Sequence, residues 1–387
     1  MSSRSLWYVV TPVYKPAPGG GAIYTDILAR ALAAEGADVW VESEAFPGQP
    51  KLSRLKVEQG SLTIDRRFPL RAGRAERDWR SYLAYAVQNL KMVGMSRRLA
   101  RVVRTLQPGS VTVLVHSSLL YSRGLLPTVL NRLRRAHPGV RLVLDVRDPK
   151  FDEDLAPAFA RFDAAIGCSQ AIGEKLRALL PERVEVLTIP IPFERPETPS
   201  EHAVAEVLRE HRLQGIPYVL NPNGIADWKR YPEMLEVVRA LRLHPGYERA
   251  CLVTVGRARD WCARDDAATR EGILRYLGVV HNRTALALAK GALATLILSR
   301  VEGIPRAGLE TLAMGTPLLA PDIKEFAQWI PSSVARSDDP REIASQILTL
   351  ATHPPAESYP FEAHEMANLV QLYRSLERPT TIQEITS

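Results

Sequence analysis

Short apolar runs alternate with helical patterns along the chain, and this alternation limits the possible folds more than any other feature of the sequence. In the first half, the apolar runs predict strands at residues 6–11, 37–42, 111–116, 141–146, 164–168 and 184–189. In the second half, they predict strands at residues 218–221, 251–255, 276–280, 294–299 and 317–320. Strands that alternate with helices form parallel sheets covered by helices. The chain is therefore predicted to be an α/β protein.

A proline-rich segment at residues 190–199 interrupts the alternation once. Proline lacks the backbone donor that a central strand or a helix interior needs, so the segment is predicted to belong to a linker. We predict an N-terminal domain at residues 1–190, a linker at 191–215, a C-terminal domain at 216–360, and a final helix with a tail at 361–387. Two doubly wound Rossmann-like domains that face each other across a cleft would bind a ligand between them.

Capping residues mark several helix ends. Gly36 is expected to end the first helix, and the sequence from Asp339 to Glu342 is typical of the start of another. Helical spacing also predicts a helix at residues 124–136 and an amphipathic helix at 361–376. These helices account for the connections that parallel strands require.

The composition is that of an ordinary globular protein. Of the 387 residues, 46% are hydrophobic and 24% are charged. Cys168, Cys251 and Cys262 show neither a disulfide framework nor zinc-binding spacing, which favours a reducing compartment. No signal peptide precedes the first strand, and no apolar run approaches the roughly 20 residues of a membrane-spanning helix. A cytoplasmic location is predicted.

Much of the net charge of +7 lies between Arg66 and Arg104. A solvated basic face is the more ordinary explanation, and a surface that contacts anionic lipid or an acidic acceptor is the functional alternative. The second explanation would place the protein peripherally on the inner face of a membrane. No zinc spacing, helix-turn-helix pattern or interleaved aromatic run accompanies the charge, so no nucleic-acid partner is predicted.

One strand–loop–helix segment carries Glu302 and Glu310 eight positions apart. The apolar run 294–299 predicts a buried strand, Pro305 suits the first helical position, and Gly315 suits a C-terminal cap. In open α/β sheets, ligands bind at the carboxyl ends of strands, where helix N-terminal amides bind anions. Phosphate at the helix start and hydroxyl groups held by carboxylates would suit a nucleotide sugar.

Three further loops follow predicted strands and carry residue types that bind phosphates or sugars. They contain Gly19, Gly20 and Gly21; His116; and Gly224, Lys229 and Arg230. Glycines let backbone approach a ligand closely, and cations beside a helix N-terminus are unfavourable unless an anion binds there. The ordinary alternatives are a flexible loop, a structural histidine and a surface Lys-Arg pair.

Other chemistry is absent from the sequence patterns. No serine triad, Cys–His pair or Asp-x-Asp metal motif follows a strand, so no metal is predicted. Lys, Arg and backbone N–H groups would then have to stabilise the charge of a leaving diphosphate. Arg147 and Asp148 also end a strand, either as part of the same rim or as a structural ion pair.

Together these segments resemble the GT-B glycosyltransferases, and within them the large retaining family 4. Residues 18–21 and 27–39 look like the family's N-terminal glycine loop and helix, and residues 162–169 look like a strand near the end of that domain. Residues 224–229, 276–279 and 299–317 look like the donor-domain motifs in their family order. The resemblance implies an N-terminal acceptor-binding domain, a C-terminal donor-binding domain, and a final helix that crosses back onto the N-terminal domain.

The resemblance also implies roles for single residues. Glu302 would contact hydroxyl groups of the donor sugar, Glu310 the ribose, Lys229 the diphosphate, and His116 the vicinity of the sugar. The remaining donor-binding positions would use backbone or side-chain atoms of Gly20, Gly21, Gly224, Arg230, Arg257, Leu277, Val279, Gly303, Ile304, Pro305, Arg306 and Thr311. Family members retain the anomeric configuration, so the resemblance implies front-face attack and no carboxylate nucleophile pair of the glycosidase kind.

The sequence departs from the family pattern at the phosphate site. The family usually has arginine directly after the glycine that matches Gly224, and Ile225 stands there instead. Arg230 or Arg257 would then take its place. The family's Asn-Gly-Val-Asp after the linker strand is replaced by residues 191–194, and Ile304 replaces an aromatic residue.

The sequence thus predicts a retaining, metal-independent transferase that moves a hexose-type sugar from a UDP- or GDP-sugar to an acceptor hydroxyl. The acceptor is expected to be a glycan, a lipid-linked oligosaccharide or a small metabolite, and no cofactor is implied beyond the nucleotide sugar as co-substrate. Glu302, His116 and Lys229 are the expected catalytic residues. The alternatives are a nucleotide-sugar 2-epimerase of the same fold and a non-catalytic protein that binds a sugar nucleotide.

Overall fold

The computed structural model describes residues 4–17, 19–66, 94–119, 134–135, 139–147, 151, 153–300, 302–354 and 358–377. The chain divides into two compact units. The first unit comprises Met1–Phe193 and Glu362–Ser387, and the second comprises Glu194–Phe361. Each unit contains one sheet with helices packed against it, as the α/β prediction requires. The helix predicted at residues 124–136 lies outside the described residues except for positions 134 and 135, which are helical.

The first unit contains an eight-stranded sheet in the order β3-β4-β2-β1-β5-β6-β7-β8. Its strands are β1 Ser5–Val10, β2 Asp38–Glu42, β3 Leu52–Val57, β4 Gly60–Asp65, β5 Ser110–His116, β6 Val140–Val146, β7 Ala164–Gly167 and β8 Glu185–Thr188. Every pairing is parallel except that of β3 with β4. The six strands predicted for this half are present, with ends within one residue of the predicted ones.

The order of strands reverses next to β1. From β1 the chain moves outward to β2, and after β4 it returns to form β5 on the other side of β1. The loops that follow β1 and β5 therefore flank the switch point of this sheet, which is where open α/β sheets bind ligands. The first of these loops leads into the glycine-rich helix start, and the second begins at His116.

Helices cover both faces of the first sheet. They are α1 Gly20–Ala34, α2 at residues 94–106, α3 Ala156–Phe159, α4 Gln170–Leu179 and, from the far end of the chain, α12 Met366–Arg374. Helix α12 belongs to the first unit and packs on α1, where the hydroxyl groups of Tyr24 and Tyr373 lie 2.8 Å apart. The final helix thus crosses back onto the N-terminal unit, as predicted.

The β3–β4 hairpin was not predicted from the sequence. Strand β4 pairs in parallel with β2 and carries an apolar, buried face. Strand β3 is an exposed edge strand in which charged and apolar residues mix, so it lacks the alternation that identifies a half-buried strand. Gly60 begins β4, and a Cβ atom there would lie 2.2 Å from the Ala37 carbonyl oxygen, so no larger residue fits.

The second unit contains a five-stranded parallel sheet in the order β11-β10-β9-β12-β13. Its strands are β9 Tyr218–Asn221, β10 Cys251–Val255, β11 Leu274–Gly278, β12 Ala294–Leu296 and β13 Leu318–Leu319. The helices are α5 Glu201–Glu210, α6 Tyr231–Leu241, α7 Ala263–Arg270, α8 Asn282–Lys290, α9 Arg306–Ala313, α10 Lys324–Trp329 and α11 Pro340–Thr352. The strand order reverses between β9 and β12, so the loops that follow these two strands flank the second switch point.

Two strand predictions for this half need correction. The strand predicted at 276–280 lies two residues earlier, because Gly278 adopts a φ of 69° and ends it. The strand predicted at 294–299 pairs regularly only through Leu296. At the helix ends, Asp339 caps α11 by accepting a hydrogen bond from Arg341 N, as predicted. None of the described helices is long and apolar enough to cross a membrane.

The loops after β9 and β10 cross each other at Gly224. Gly224 has a φ of 73°, and a Cβ atom there would lie 2.3 Å from the carbonyl oxygen of Arg257. The same carbonyl accepts a hydrogen bond from Ile225 N at 3.0 Å. Glycine is therefore required at position 224 both by the left-handed backbone and by the close approach of a second chain segment.

We expect Gly224→Ala to lower the free energy of unfolding by more than an alanine placed at another glycine with a left-handed backbone. At position 224 the added Cβ atom would also clash with the backbone of Arg257. Gly215→Ala is the matched control, because Gly215 has a φ of 64° and a Cβ atom added there would meet no other atom within 4 Å. The control should lose about 1–2 kcal/mol, and Gly224→Ala at least about twice that. Urea unfolding of both variants measures the difference, and equal losses would contradict the crossing.

Candidate functional site

The loops after β9 and β12 meet at the switch point of the second sheet. We call residues 222–230 the lysine loop and residues 297–305 the glutamate loop, which is described except for Val301. The backbone N–H of Arg300 donates to the carbonyl of Trp228 at 3.2 Å, which joins the two loops. Lys229 and Glu302 therefore lie on loops that are hydrogen-bonded to each other at one edge of one sheet.

Lys229 is held in place by its own loop. Its Nζ atom donates to the carbonyl of Asn223 and lies 4.9 Å from the centre of the Trp228 ring. The side chain of Asn221 donates to the carbonyl of Gly224 at 2.9 Å and accepts from Asn223 N at 3.1 Å. The loop is thus stabilised from within, and Lys229 is half-buried at the sheet edge.

Ile225, which was expected to be an arginine from the family resemblance, has a structural role. Its side chain is buried in the core of the second unit, among the residues that β9, α6 and β10 contribute. Its N–H binds the carbonyl of Arg257, and its carbonyl accepts from Arg259 N at 2.9 Å. Position 225 therefore ties the loop after β9 to the loop after β10, and its side chain does not reach the rim.

The arginines near this edge differ in what they bind. Arg230 pairs with Glu233 at 3.3 Å and with Asp338, so its guanidinium group is already engaged by two carboxylates. Arg257 is exposed beside Gly224, held there by its backbone contact with Ile225. Of the two arginines expected to replace the family's arginine, Arg257 is the one with an exposed side chain at the crossing of the loops.

Helix α9 begins one residue later than predicted. Pro305 is the N-cap, because its ψ of 114° is extended, and Arg306 is the first helical residue. Gly303, Ile304 and Pro305 are buried, and Glu302 is half-buried. The first N–H groups of α9 have no intrahelical acceptor and lie at the sheet edge, which favours an anion. The buried hydroxyl of Ser299 has no hydrogen-bond partner among the described residues.

Glu310 lies on the half-buried side of α9. Its carboxylate is 3.3 Å from Arg306 Nε, one turn earlier in the helix. Burial raises the pKa of Glu310 above its ordinary value, and Arg306 opposes this only in part. Thr311 follows on the buried side, where its hydroxyl donates to Thr295 at 3.0 Å and anchors α9 to β12. Thr311 is 1% exposed, so its side chain serves the packing of α9 on the sheet.

The end of β11 provides the last predicted donor-binding positions. Leu277 is partly buried against the core beneath α8, and Val279 is 64% exposed just beyond Gly278. The predicted donor-binding residues on the loops after β9, β10, β11 and β12 therefore lie at the carboxyl edge of one parallel sheet, whereas Thr311 is buried beside β12. Their individual roles stay predictions.

In the first unit, Gly20 and Gly21 form the first turn of α1 rather than a loop before it. Gly19 is the N-cap with a φ of 121°, a conformation that favours glycine. A Cβ atom on Gly20 would meet nothing within 4 Å, and one on Gly21 only the Val13 side chain at 3.7 Å. Among the described residues, a small side chain would therefore fit at either position of this first turn.

Asp26 anchors the segment that leads into this helix start, and sequence reasoning missed it. Its carboxylate accepts from the hydroxyl of Tyr14 at 2.6 Å and pairs with Lys15 and Arg30, each at 2.9 Å. Although burial alone would raise the pKa of Asp26, the hydrogen bonds from Tyr14 and Lys15 lower it. The acid is therefore ionised near neutral pH and holds the loop from β1 against α1.

His116 ends β5 in a neutral form. Its Nδ1 atom accepts from the backbone N–H of Ser118 at 3.2 Å and lies 2.8 Å from the Ser118 hydroxyl. Burial lowers the pKa of His116 to about 4. The proton of the neutral ring is therefore on Nε2, so His116 can donate a hydrogen bond from that atom at neutral pH.

Arg147 is part of a structural ion pair. Its guanidinium group binds Asp145 at 2.6 Å and lies over the ring of Tyr24. Burial lowers the pKa of Arg147 to about 9 and raises that of Asp145. Asp148, the other partner considered from the sequence, lies outside the described residues.

Two arginines of the basic region point inward rather than toward solvent. Arg66 is 6% exposed and donates to the Lys15 carbonyl at 3.1 Å, and Arg98 pairs with the fully buried Glu42. Residues 67–93 lie outside the described residues.

Within the part of the chain that the structure describes, no group of three or more His, Cys, Asp or Glu side chains could hold a metal ion. The predictions of membrane contact and of metal independence therefore stay predictions.

Comparisons with known proteins identify the fold. No protein-family model and no curated protein matches the chain. Among solved structures, an α,α-trehalose 6-phosphate synthase from Burkholderia multivorans is 15% identical with a TM-score of 0.66, and the match covers 100% of both chains. An E. coli structure, described as trehalose-6-phosphate bound with UDP-2-fluoro glucose, is 13% identical with a TM-score of 0.65, covering 97% of this chain and 99% of that one.

A third structure is similar over the same length. It is a UDP-forming α,α-trehalose-phosphate synthase from Burkholderia xenovorans in complex with glucose-6-phosphate, 15% identical with a TM-score of 0.63, covering 96% of this chain and 100% of that one. Such identities show a shared fold and no more. The chain has the GT-B fold, with one Rossmann-like sheet in each of its two units.

We expect Glu310→Gln to change the pH dependence of stability. A carboxyl group whose pKa is raised in the folded state supports folding fully below its unfolded pKa, about 4.3, and loses that contribution as the pH rises through the folded pKa. The unfolding free energy of the wild type, minus that of the variant, should therefore fall with rising pH and then stay level.

Chemical denaturation between pH 4 and 8 measures this difference. Glu206→Gln is the control, because Glu206 is exposed on α5 and its variant should follow the wild type at every pH. A difference that grows with pH would contradict the dominance of burial over the Arg306 contact.

Proposed function

We propose that the chain is a retaining glycosyltransferase that moves a hexose-type sugar from a nucleotide diphosphate sugar to an acceptor hydroxyl. One observation carries the proposal: the Arg300–Trp228 hydrogen bond joins the loop of Lys229 to the loop of Glu302 at a switch point. A cation, the first amides of a helix and two carboxylates would match the parts of such a donor. Membership of family 4 is part of this proposal.

The charges suggest how the donor would bind. Lys229 and Arg257, with the first amides of α9, would neutralise the diphosphate, and Glu310 would accept hydrogen bonds from the ribose. Glu302 would accept from the hydroxyl groups of the transferred sugar. Arg306, paired with Glu310, would orient that carboxylate. The cations would thus meet the phosphates, and the carboxylates would meet hydroxyl groups that donate hydrogen bonds.

The chemistry would need no metal. As the glycosidic C–O bond breaks, negative charge grows on the leaving diphosphate, and Lys229, Arg257 and the helix amides would stabilise it. The acceptor hydroxyl would attack from the same face, and its proton would pass to the departing phosphate oxygen. His116, neutral with its proton on Nε2, would donate a hydrogen bond to a sugar hydroxyl rather than act as a base.

The similar structures narrow the substrates that should be tested first. One of them holds UDP-2-fluoro glucose and another glucose-6-phosphate, which suggests a UDP-sugar as donor and a phosphorylated sugar among the acceptors. Glycan, lipid-linked and small-molecule acceptors stay within the proposal. The open amides of Gly20 and Gly21 in the first unit would suit a phosphate group.

We expect Glu302→Ala and Lys229→Ala to suppress release of nucleoside diphosphate from a sugar donor while leaving folding intact. Loss of one charged hydrogen bond should cost about 1.5–3 kcal/mol, or about 10–150-fold in kcat/KM. Glu206→Ala, which removes an exposed carboxylate on α5, is the control. The assay measures UDP and GDP release over a donor and acceptor panel, with circular dichroism as the folding check.

The products decide between the proposed reaction and the alternatives. Proton NMR of the new glycosidic bond should show the anomeric configuration of the donor. Conversion of the donor sugar without an acceptor would instead indicate an epimerase, and nucleotide binding without turnover would indicate a binding protein. Unchanged kinetics in both variants would refute the site.

We expect the two glycines at the start of α1 to separate function from folding. Gly20→Ala should keep the wild-type melting temperature, because its Cβ meets no atom, and should slow transfer by filling the space in front of the amides. Gly19→Ala should lower the free energy of unfolding by about 1–2 kcal/mol, because its φ of 121° strains a larger residue. A Gly20→Ala variant with full activity would contradict ligand binding at this helix start.

A further inference from the structure

The loop after β10, residues 256–262, presents an exposed aromatic ring at the edge of the second sheet. Trp261 is 39% exposed, although tryptophan is among the most costly side chains to leave in water. Val279, at the end of the neighbouring strand β11, is 64% exposed. Two exposed apolar side chains thus follow adjacent parallel strands, on the side of β9 that carries Arg257.

The ring of Trp261 is fixed rather than free to rotate. Its indole Nε1 donates to Asp266 at 2.9 Å, and its ring lies 5.2 Å from that of Tyr276 at an interplanar angle of 48°. Tyr276 is itself held, because its hydroxyl donates to the Gly256 carbonyl at 2.8 Å and accepts from Ala258 N at 3.0 Å. The exposed face is therefore ordered before any ligand arrives.

Hydrogen bonds attach the same loop to the lysine loop. Two backbone hydrogen bonds join Ile225 to Arg257 and Arg259, and Asp227 N donates to the side chain of Asp260 at 3.0 Å. Trp261 directly follows Asp260, and Lys229 lies two residues after Asp227. A rigid aromatic face is thus fixed relative to the cations that are proposed to bind a diphosphate.

We infer that the exposed face of Trp261 stacks against the nucleobase of the nucleoside diphosphate. The inference rests on the proposed function and adds the residue that recognises the base. A planar base offers an aromatic face to stack on, and its diphosphate offers the charge for Lys229 and Arg257. Stacking tolerates any base, so this contact provides affinity and leaves the choice between uracil and guanine to polar groups.

Calorimetric titration of the full chain with UDP, GDP and inorganic pyrophosphate tests the inference. Trp261→Ala should weaken UDP and GDP binding by about tenfold, within the range measured for loss of base stacking, and leave pyrophosphate binding unchanged. Trp261→Phe should retain most of the affinity, because it keeps an aromatic face. Trp329→Ala is the matched control, since Trp329 is 45% exposed on α10 of the same unit.

Tryptophan fluorescence gives an independent readout. UDP should quench part of the wild-type emission, and Trp261→Phe should lose that quenching while still binding UDP. Wild-type affinity of Trp261→Ala for UDP and GDP, or equal weakening of pyrophosphate, would overturn the stacking contact. If the stacking contact is overturned but Lys229→Ala still weakens nucleotide binding, the proposed function stands without a role for Trp261. If the wild type binds neither nucleotide, both proposals fall.

Discussion

The crossing of two loops at Gly224 is the contact on which the second unit's candidate site depends. Parallel strands satisfy their backbone groups within the sheet, so groups beyond the strand ends need other partners. Ile225 meets this need by binding Arg257 and Arg259 through its backbone, while its side chain fills the core. Because Gly224 has no Cβ, the two segments can approach closely enough for those bonds to form. The crossing therefore joins the loop of Lys229 to the loop of Arg257 and Trp261.

The two switch points have different electrostatic character. In the second unit, exposed or half-buried cations and carboxylates remain at the edge, and some are paired, as Arg306 is with Glu310. In the first unit, the charged groups beside the glycine-rich helix start are used to hold the backbone, as Asp26 does with Tyr14 and Lys15. His116 adds a neutral donor. The switch point of the second unit is therefore surrounded by charged side chains, whereas that of the first is surrounded mainly by backbone amides and a neutral ring.

The sequence was sufficient where burial alone decides structure. Continuous apolar runs identified β1, β5 and β9 within one residue, because strands buried on both faces carry an uninterrupted signal. It failed at β3, whose exposed residues lack any period, and at β11, which Gly278 ends early. Partners far apart in sequence were also invisible: Arg230 binds Asp338, 108 positions away. Motifs could predict which charged residues follow the strands of the second unit. They could not predict which of those charges, such as that of Arg230, are already paired within the protein.

The crossing also bears on why isoleucine rather than arginine stands at position 225. An arginine at position 225 would have to leave the core to reach a ligand, and its backbone would still be needed for the crossing. Arg257 sits on the other side of that same crossing, so its side chain starts from a backbone position hydrogen-bonded to residue 225. An arginine at position 257 therefore places its positive charge on the loop after β10, starting from backbone that is hydrogen-bonded to position 225. What must be kept is the backbone contact, and Gly224, with its left-handed φ and its lack of a Cβ, keeps it.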